Sequence, residues 1–229
     1  MRGGRLVPGL HQVALGYVNA YIIEGEAGLV VVDTGLPGRM DRLADAVGAV
    51  GRDVVAVTDI VVTHCHIDHI GSLADLAARS GARVWTHSQD RHVTETGSLA
   101  GPMTGRNLVG RLMVFTGRPR AASPVPVDAS LHDGEVVDLA GGLRVIHTPG
   151  HTPGHVSLLW EPGGVLVAGD AAMRLSGRIT PPPVAEDHVA ATRSFRRLAT
   201  FQYDVMVFGH GRPVTTGAAE SMREAAAEI

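Results

Sequence analysis

Residues 63–71 read Thr-His-Cys-His-Ile-Asp-His-Ile-Gly, "THCHIDHIG". Three histidines, one aspartate and one cysteine fall between His64 and His69. His64 and His66 stand two apart, so in extended chain both project to one side, with Cys65 turned to the other. Asp68 and His69 fall where the pattern passes from strand to helix, and a helix N-terminus tolerates an anionic Asp. Four ligating groups can thus surround one small volume. A polar surface loop and a structural zinc knot are the plainer readings of such a run. His-x-His-x-Asp-His arises by chance roughly once in several hundred chains of this composition, so support must come from elsewhere in the sequence.

The segments around the motif set its context. Asp59–Thr63 is apolar apart from its ends and runs straight into the histidines, as a strand covered on both faces does. Val18–Ile23 and Leu29–Val32 are short, β-branched and separated by "EGEAG", which predicts a hairpin. Pro37 opens a helical pattern with Met40, Leu43, Ala44 and Val47 on one face. Ile70, Leu73, Leu76 and Ala77 predict one helix after the motif. Arg83–Thr86 reads as a strand. Residues 96–124 are interrupted by Gly, Pro and Arg. They read either as a lid over a site or as a surface excursion. Further on, Val136–Leu139, Leu143–His147, Val156–Trp160, Val165–Ala168 and Val205–Phe208 read as strands. His188–Ala199 and Ala218–Glu228 read as helices. Strands with interspersed helices in both halves suit two sheets packed face to face with helices outside, in one domain over 1–229.

Three apolar strands end in Gly-flanked donors. His151 stands in "TPGHTPGH", Asp170 in "VAGDA" and His210 in "VFGHG". Strand-end loops are where α/β proteins build sites. The candidate set is therefore His64, His66, Asp68, His69, His151, Asp170 and His210. A structural zinc site closes with four ligands and is usually rich in Cys. Seven N/O donors exceed that need and suit two ions with a position for water. Imidazole with carboxylate favours Zn, Fe, Mn or Ni.

Bulk properties narrow the function. The 229 residues are 45% hydrophobic and 19% charged, with 29 Gly and 13 Pro, a globular composition rich in turns. The net charge is −3, which makes no case for nucleic acid. All 20 basic residues are arginine, so lysine Schiff-base and lysine general-base chemistry is excluded. Cys65 is the only cysteine, which forbids an internal disulfide and makes the reducing cytoplasm the expected location. The first residues lack a signal-peptide core, and no apolar run reaches the length of a membrane span. The expected partner is a small molecule, with the oligomeric state left open.

"THCHIDHIG", "PGHTPGH", "GD" and "GHG", in this order, resemble the metallo-β-lactamase superfamily, most closely its glyoxalase-II-like hydrolase branch. "YVNAYII" and "VVVDTG" resemble that branch's first strands, so the likeness runs from about Gly16 to Arg212. It implies an α/β fold, a four-layer αββα sandwich with metals at one edge between the sheets. It implies that His64, His66 and His151 hold one ion, that Asp68, His69 and His210 hold a second, and that Asp170 bridges them. Two divalent ions, zinc first and Fe or Mn as alternatives, would share a hydroxide that attacks a small ester, thioester or lactone. Asp68 is the expected catalytic residue, orienting that hydroxide and passing a proton to the leaving group. Asp at 170, where many true metallo-β-lactamases carry Cys, points away from antibiotics. Glyoxalase II adds a C-terminal helical region with basic glutathione contacts, which this chain does not match. Acyl-homoserine lactonases place a Tyr soon after the bridging Asp, where Ala171, Ala172 and Met173 stand here. A mononuclear iron persulfide dioxygenase on the same fold is the alternative, and the motif does not discriminate against it.

The remaining polar residues receive plainer expectations. Asp33 is the preferred partner for a ligand imidazole, and Asp59 a strand-start or turn residue. Cys65 is expected as a buried non-ligand and His155 as a support to the site. His147 is expected at the core or rim. His11, His87, His92, His132 and His188 are read as surface or capping residues. Tyr21 either reaches the site or packs by alternation. Arg174 and Arg178 either grip an acidic substrate or stand as solvated loop charges.

Overall fold

The computed structural model describes residues 3–116 and 120–229. The first half supplies β1 (Gly4–Val7), β2 (Leu10–Ala14), β3 (Asn19–Glu24), β4 (Leu29–Val32), α1 (Met40–Ala49) and β5 (Val57–Val61). After the motif helix α2 (Ile67–Ile70) come α3 (Leu73–Ser80), β6 (Arg83–His87), α4 (Ser88–Thr96), β7 (Thr104–Gly105), α5 (Leu108–Thr116) and β8 (Ala129–Leu131). The second half supplies β9 (Val136–Val137), β10 (Leu143–His147), β11 (Val156–Trp160), β12 (Val165–Val167), β13 (Met173–Leu175), β14 (Arg178–Thr180) and β15 (Val184–Ala185). It closes with α6 (His188–Leu198), β16 (Val205–Val207) and α7 (Ala218–Ala227).

Among the described residues β13-β14 and β15-β7 form two small pairs, and the two large sheets have seven strands in the order β1-β2-β3-β4-β5-β6-β8 and five in the order β16-β12-β11-β10-β9. Side-chain alternation assembles four layers from them. On β3 and β4, Ala20, Ile22 and Val31 turn outward onto α1 and α3, meeting Leu43, Val47, Leu73 and Leu76. Their neighbours Tyr21, Ile23, Val30 and Val32 turn inward. There they meet Val145, Val156, Leu158, Val165, Val167, Val205 and Val207 of the second sheet. Leu159, Leu166 and Met206 face the other way, onto Phe195 and Leu198 of α6 and Met222 of α7. Each central strand is thus apolar on both faces because each face is covered. The fold is the αββα sandwich expected from the motifs.

The helix expected across Ile70–Ala77 is two helices. Gly71 N donates to Gly35 O and Ser72 Oγ to Leu36 O, so the chain breaks there to meet the β4–α1 turn. A Cβ on Gly71 would strike Pro37, so the close approach requires glycine. Asp68 and His69 lie in the first, one-turn helix, with Asp68 in its first turn as expected. Part of the 96–124 segment is ordered by β7, which pairs with β15, and by α5; residues 117–119 lie outside the described residues.

The two sheets are joined at one edge by backbone. Val156 N donates to Thr63 O at 2.8 Å, and Asn19 N donates to Gly209 O at 2.8 Å. The motif loop and the loops after β10, β12 and β16 all open onto this edge.

Candidate metal centre

All seven candidate donors come together at that edge. His64, His66 and His151 form one group whose donor atoms lie within 4.8 Å of one another; Asp68, His69 and His210 form a second, and His64, His69 and Asp170 a third that links them. Asp170 lies between them. Its Oδ2 is 3.4 Å from His151 Nε2 and 3.1 Å from His210 Nε2, and its Oδ1 is 3.6 Å from His69 Nε2. Asp68 Oδ2 is 3.4 Å from His210 Nε2. His64, His69, His151 and Asp170 are buried, while Asp68, His66 and His210 form the half-buried mouth.

The outer nitrogens fix the rings. His69 Nδ1 lies 2.8 Å from Asp33 Oδ2, His151 Nδ1 2.9 Å from Val184 O, and His210 Nδ1 3.0 Å from Tyr17 O. An acceptor there requires the N–H on Nδ1 and leaves Nε2 for the cluster. His64 Nδ1 lies 3.1 Å from Thr63 Oγ1, whose own proton goes to Asp33 Oδ2 at 2.7 Å. Asp33 therefore steadies two imidazoles, one directly and one through Thr63. Its backbone is left-handed, with φ 61°, which turns the carboxylate back toward the motif.

The donor set fits a cation on its own chemistry. His64 Nε2, His66 Nε2, His69 Nε2 and Asp170 Oδ1 are buried without a hydrogen-bond partner. Four unmatched polar atoms in one cluster are costly unless something binds them. Burial, then the neighbouring imidazoles, pushes His64 and His66 down, so both rings are neutral and their lone pairs are available. Burial opposes ionisation of Asp170, but His210 and His69 outweigh it and hold the carboxylate well below its usual range. Burial likewise opposes the His69 cation, yet Asp170 and Asp33 raise its pKa to about 9. This half of the cluster strongly attracts positive charge.

The other expectations resolve individually. Cys65 is buried and joins none of the donor groups among the described residues. His155 Nε2 accepts from Asp170 N at 2.8 Å while Nδ1 meets Thr148 Oγ1, so it holds the Asp170 backbone. Asp59 lies within β5, paired with Arg83 and Trp85 Nε1. Tyr21 packs between the sheets and donates to Phe208 O, two residues before His210, rather than entering the cluster. His147 meets Pro153 O and stacks on His87, which caps α4 and is buried. Arg174 donates to Pro213 O and Gly177 O, and Arg178 pairs with Glu228.

Two residues that contact the cluster or its loops escape sequence reasoning. Asp90, on α4, is buried and accepts from Cys65 N, Thr152 Oγ1 and Gly154 N at 2.7–3.0 Å. It ties the motif loop to the loop carrying His151. Its helix has no apolar face, so periodicity gives no signal there. Tyr17 is 61% exposed and stacks on His210, ring centroids 5.6 Å apart. The quoted "YVNAYII" contains it, but nothing in the spacing marks it.

A two-sheet sandwich with a His/Asp cluster at the edge between the sheets defines the metallo-β-lactamase fold, which implies divalent metal binding. A family model described as the metallo-beta-lactamase superfamily matches residues 13–210. The chain belongs to this superfamily. It is 28% identical over 232 residues to the probable metallo-hydrolase YflN of Bacillus subtilis (strain 168), covering 93% of this chain and 88% of that one. It is 24% identical over 199 residues to the hydroxyacylglutathione hydrolase GloC of Haemophilus influenzae, covering 86% of each. The metallo-beta-lactamase family protein TTHA1429 of Thermus thermophilus matches with a TM-score of 0.70 at 27% identity, covering 98% of this chain and 79% of that one. These relatives support a hydrolase of the metallo-hydrolase kind. No helix among the described residues is long and apolar enough to cross a membrane.

Proposed function

We propose that the protein, folded as one domain over residues 1–229, is a binuclear metal-dependent hydrolase of small esters, thioesters or lactones. His64, His66 and His151 would hold one ion and Asp68, His69 and His210 the other, with the Asp170 carboxylate facing both groups. The N/O donor set suits zinc first, with Fe or Mn as alternatives. The observation that carries this reading is the pair of three-donor groups sharing one carboxylate. When bound, divalent ions supply a water acidified toward a pKa of about 7 and a Lewis acid for the carbonyl oxygen.

The chain's own residues supply the rest. Asp68 is the half-buried carboxylate at the mouth, beside His210, and its pKa stays low. It orients the attacking water as an acceptor, takes the proton that water gives up on attack, and delivers that proton to the leaving oxygen or sulfur. Tyr17 offers an aromatic wall beside His210. Ala171, Ala172 and Met173 are buried, so the stretch after Asp170 presents no phenol to a substrate.

Metal quantitation on as-purified protein, paired with ester, thioester, lactone and phosphodiester substrates, tests the reading. Two zinc per chain with turnover of a carboxylic substrate is expected. Turnover of the phosphodiester alone would overturn the substrate class. One iron per chain with oxygen uptake on glutathione persulfide would replace the hydrolase by a persulfide dioxygenase.

A further inference from the structure

Helix α5, "LVGRLMVFT", carries one charge, Arg111, yet it lies outside all three cores. Leu108 is 82% and Phe115 88% exposed, and Val109, Leu112, Met113 and Val114 are exposed with them. Gly110 is the one buried position, set so close to Pro183 O that a Cβ would strike it. A helix apolar around its circumference belongs in an interior. Apolar patches beyond a few hundred Å² mark interaction surfaces.

Area and charge indicate what covers this one. Weighted by their exposures, and taking about 200 Å² for a large apolar side chain, the six residues present roughly 700 Å². A standard interface buries about 800 Å² per partner, so α5 can supply a large part of one side. A membrane-surface helix needs a strongly basic face; α5 itself carries only Arg111, and Arg106 at its foot is held by His188 O and Thr192 Oγ1. The most apolar interfaces are those of homodimers, where a two-fold axis sets one patch against itself. Leu108, Leu112 and Phe115, spaced four and three apart, form one stripe suited to such a contact.

We propose that α5 is covered by α5 of a second copy of this chain, with Leu108, Leu112 and Phe115 at the centre. The contact lies beside the metal cluster. Arg106 N, at the foot of α5, donates to Pro183 O, and the next carbonyl, Val184 O on β15, meets His151 Nδ1. A partner on α5 would therefore brace the strand that orients His151. The proposal does not depend on which reaction the site performs.

Sedimentation of the full chain at micromolar concentration tests it. The wild type is expected at twice the 24.0 kDa chain mass, and Leu112→Glu/Phe115→Glu at the single mass with an unchanged circular dichroism spectrum. A monomeric wild type overturns the proposal whether or not the variant folds. So does a dimer that the folded variant retains, or a monomer that binds anionic lipid vesicles through α5.

Discussion

Asp33 Oδ2 lies 2.8 Å from His69 Nδ1 and 2.7 Å from Thr63 Oγ1, so one carboxylate oxygen governs the ring of His69 and, through Thr63, that of His64. Asp33→Asn keeps the left-handed backbone, which Asn tolerates, but removes the charge. The substitution should weaken divalent-metal binding about 10–100-fold, read by competition with a chromophoric chelator, while the fold persists. Unchanged affinity would remove Asp33 from the site.

Asp90 has a separate role. Replacing it by Ala strips the acceptor from three buried donors on two loops. Each orphaned group costs about 1–3 kcal/mol, so Asp90→Ala should lose roughly 3–9 kcal/mol in urea denaturation. Asp90→Asn, which retains one acceptor oxygen, should lose less. A loss for Asp90→Ala below about 1 kcal/mol would contradict the bridging role.

The two donor groups predict stoichiometry. His151→Ala should dialyse to one ion per chain, and so should His210→Ala, because each belongs to one group. Asp170→Ala should retain neither ion firmly, since its oxygens face both groups. Metal quantitation checks all three; identical losses for every variant would speak against two separate ions.

Gly209 precedes His210 and packs against the cluster. A Cβ there would fall on Asp170 Oδ1 and within 2.7 Å of His69 Cε1. Gly209→Ala should therefore abolish metal retention while far-UV dichroism stays the same. Full metal content in that variant would show that the donors are looser than the packing indicates.

Tyr17 contacts His210 by ring stacking and accepts its N–H with a backbone carbonyl. Tyr17→Phe keeps both. Tyr17→Ala removes the ring and should lower kcat/KM about 2–10-fold, the size of one aromatic contact. A fall for Tyr17→Phe as large as that for Tyr17→Ala would assign the phenol a chemical role instead.

Much of this architecture is legible in the sequence because chemistry and periodicity agree. Leu143–His147 and Val156–Trp160 match their predicted bounds, since each is a short apolar run cut off by Gly or Pro. The first two strands escape such a reading because Gln12 is buried in β2 and breaks the apolar rhythm; it is satisfied by Asn19. Helix α4 buries Asp90 and Thr94 rather than a hydrophobic face, so its sequence looks like loop. The candidate donors are visible as residues. Their outer partners, Val184 O and Tyr17 O, are not, because backbone carbonyls carry no sequence signature.

The donors are also divided between the halves of the sandwich. His64, His66, Asp68 and His69 leave the first sheet after β5, whereas His151, Asp170 and His210 leave the second. Each donor group therefore straddles the seam. An ion held in either would act as a rivet, resisting slippage of one sheet over the other, so cargo-free protein should surrender its amide protons along that seam before the helices loosen.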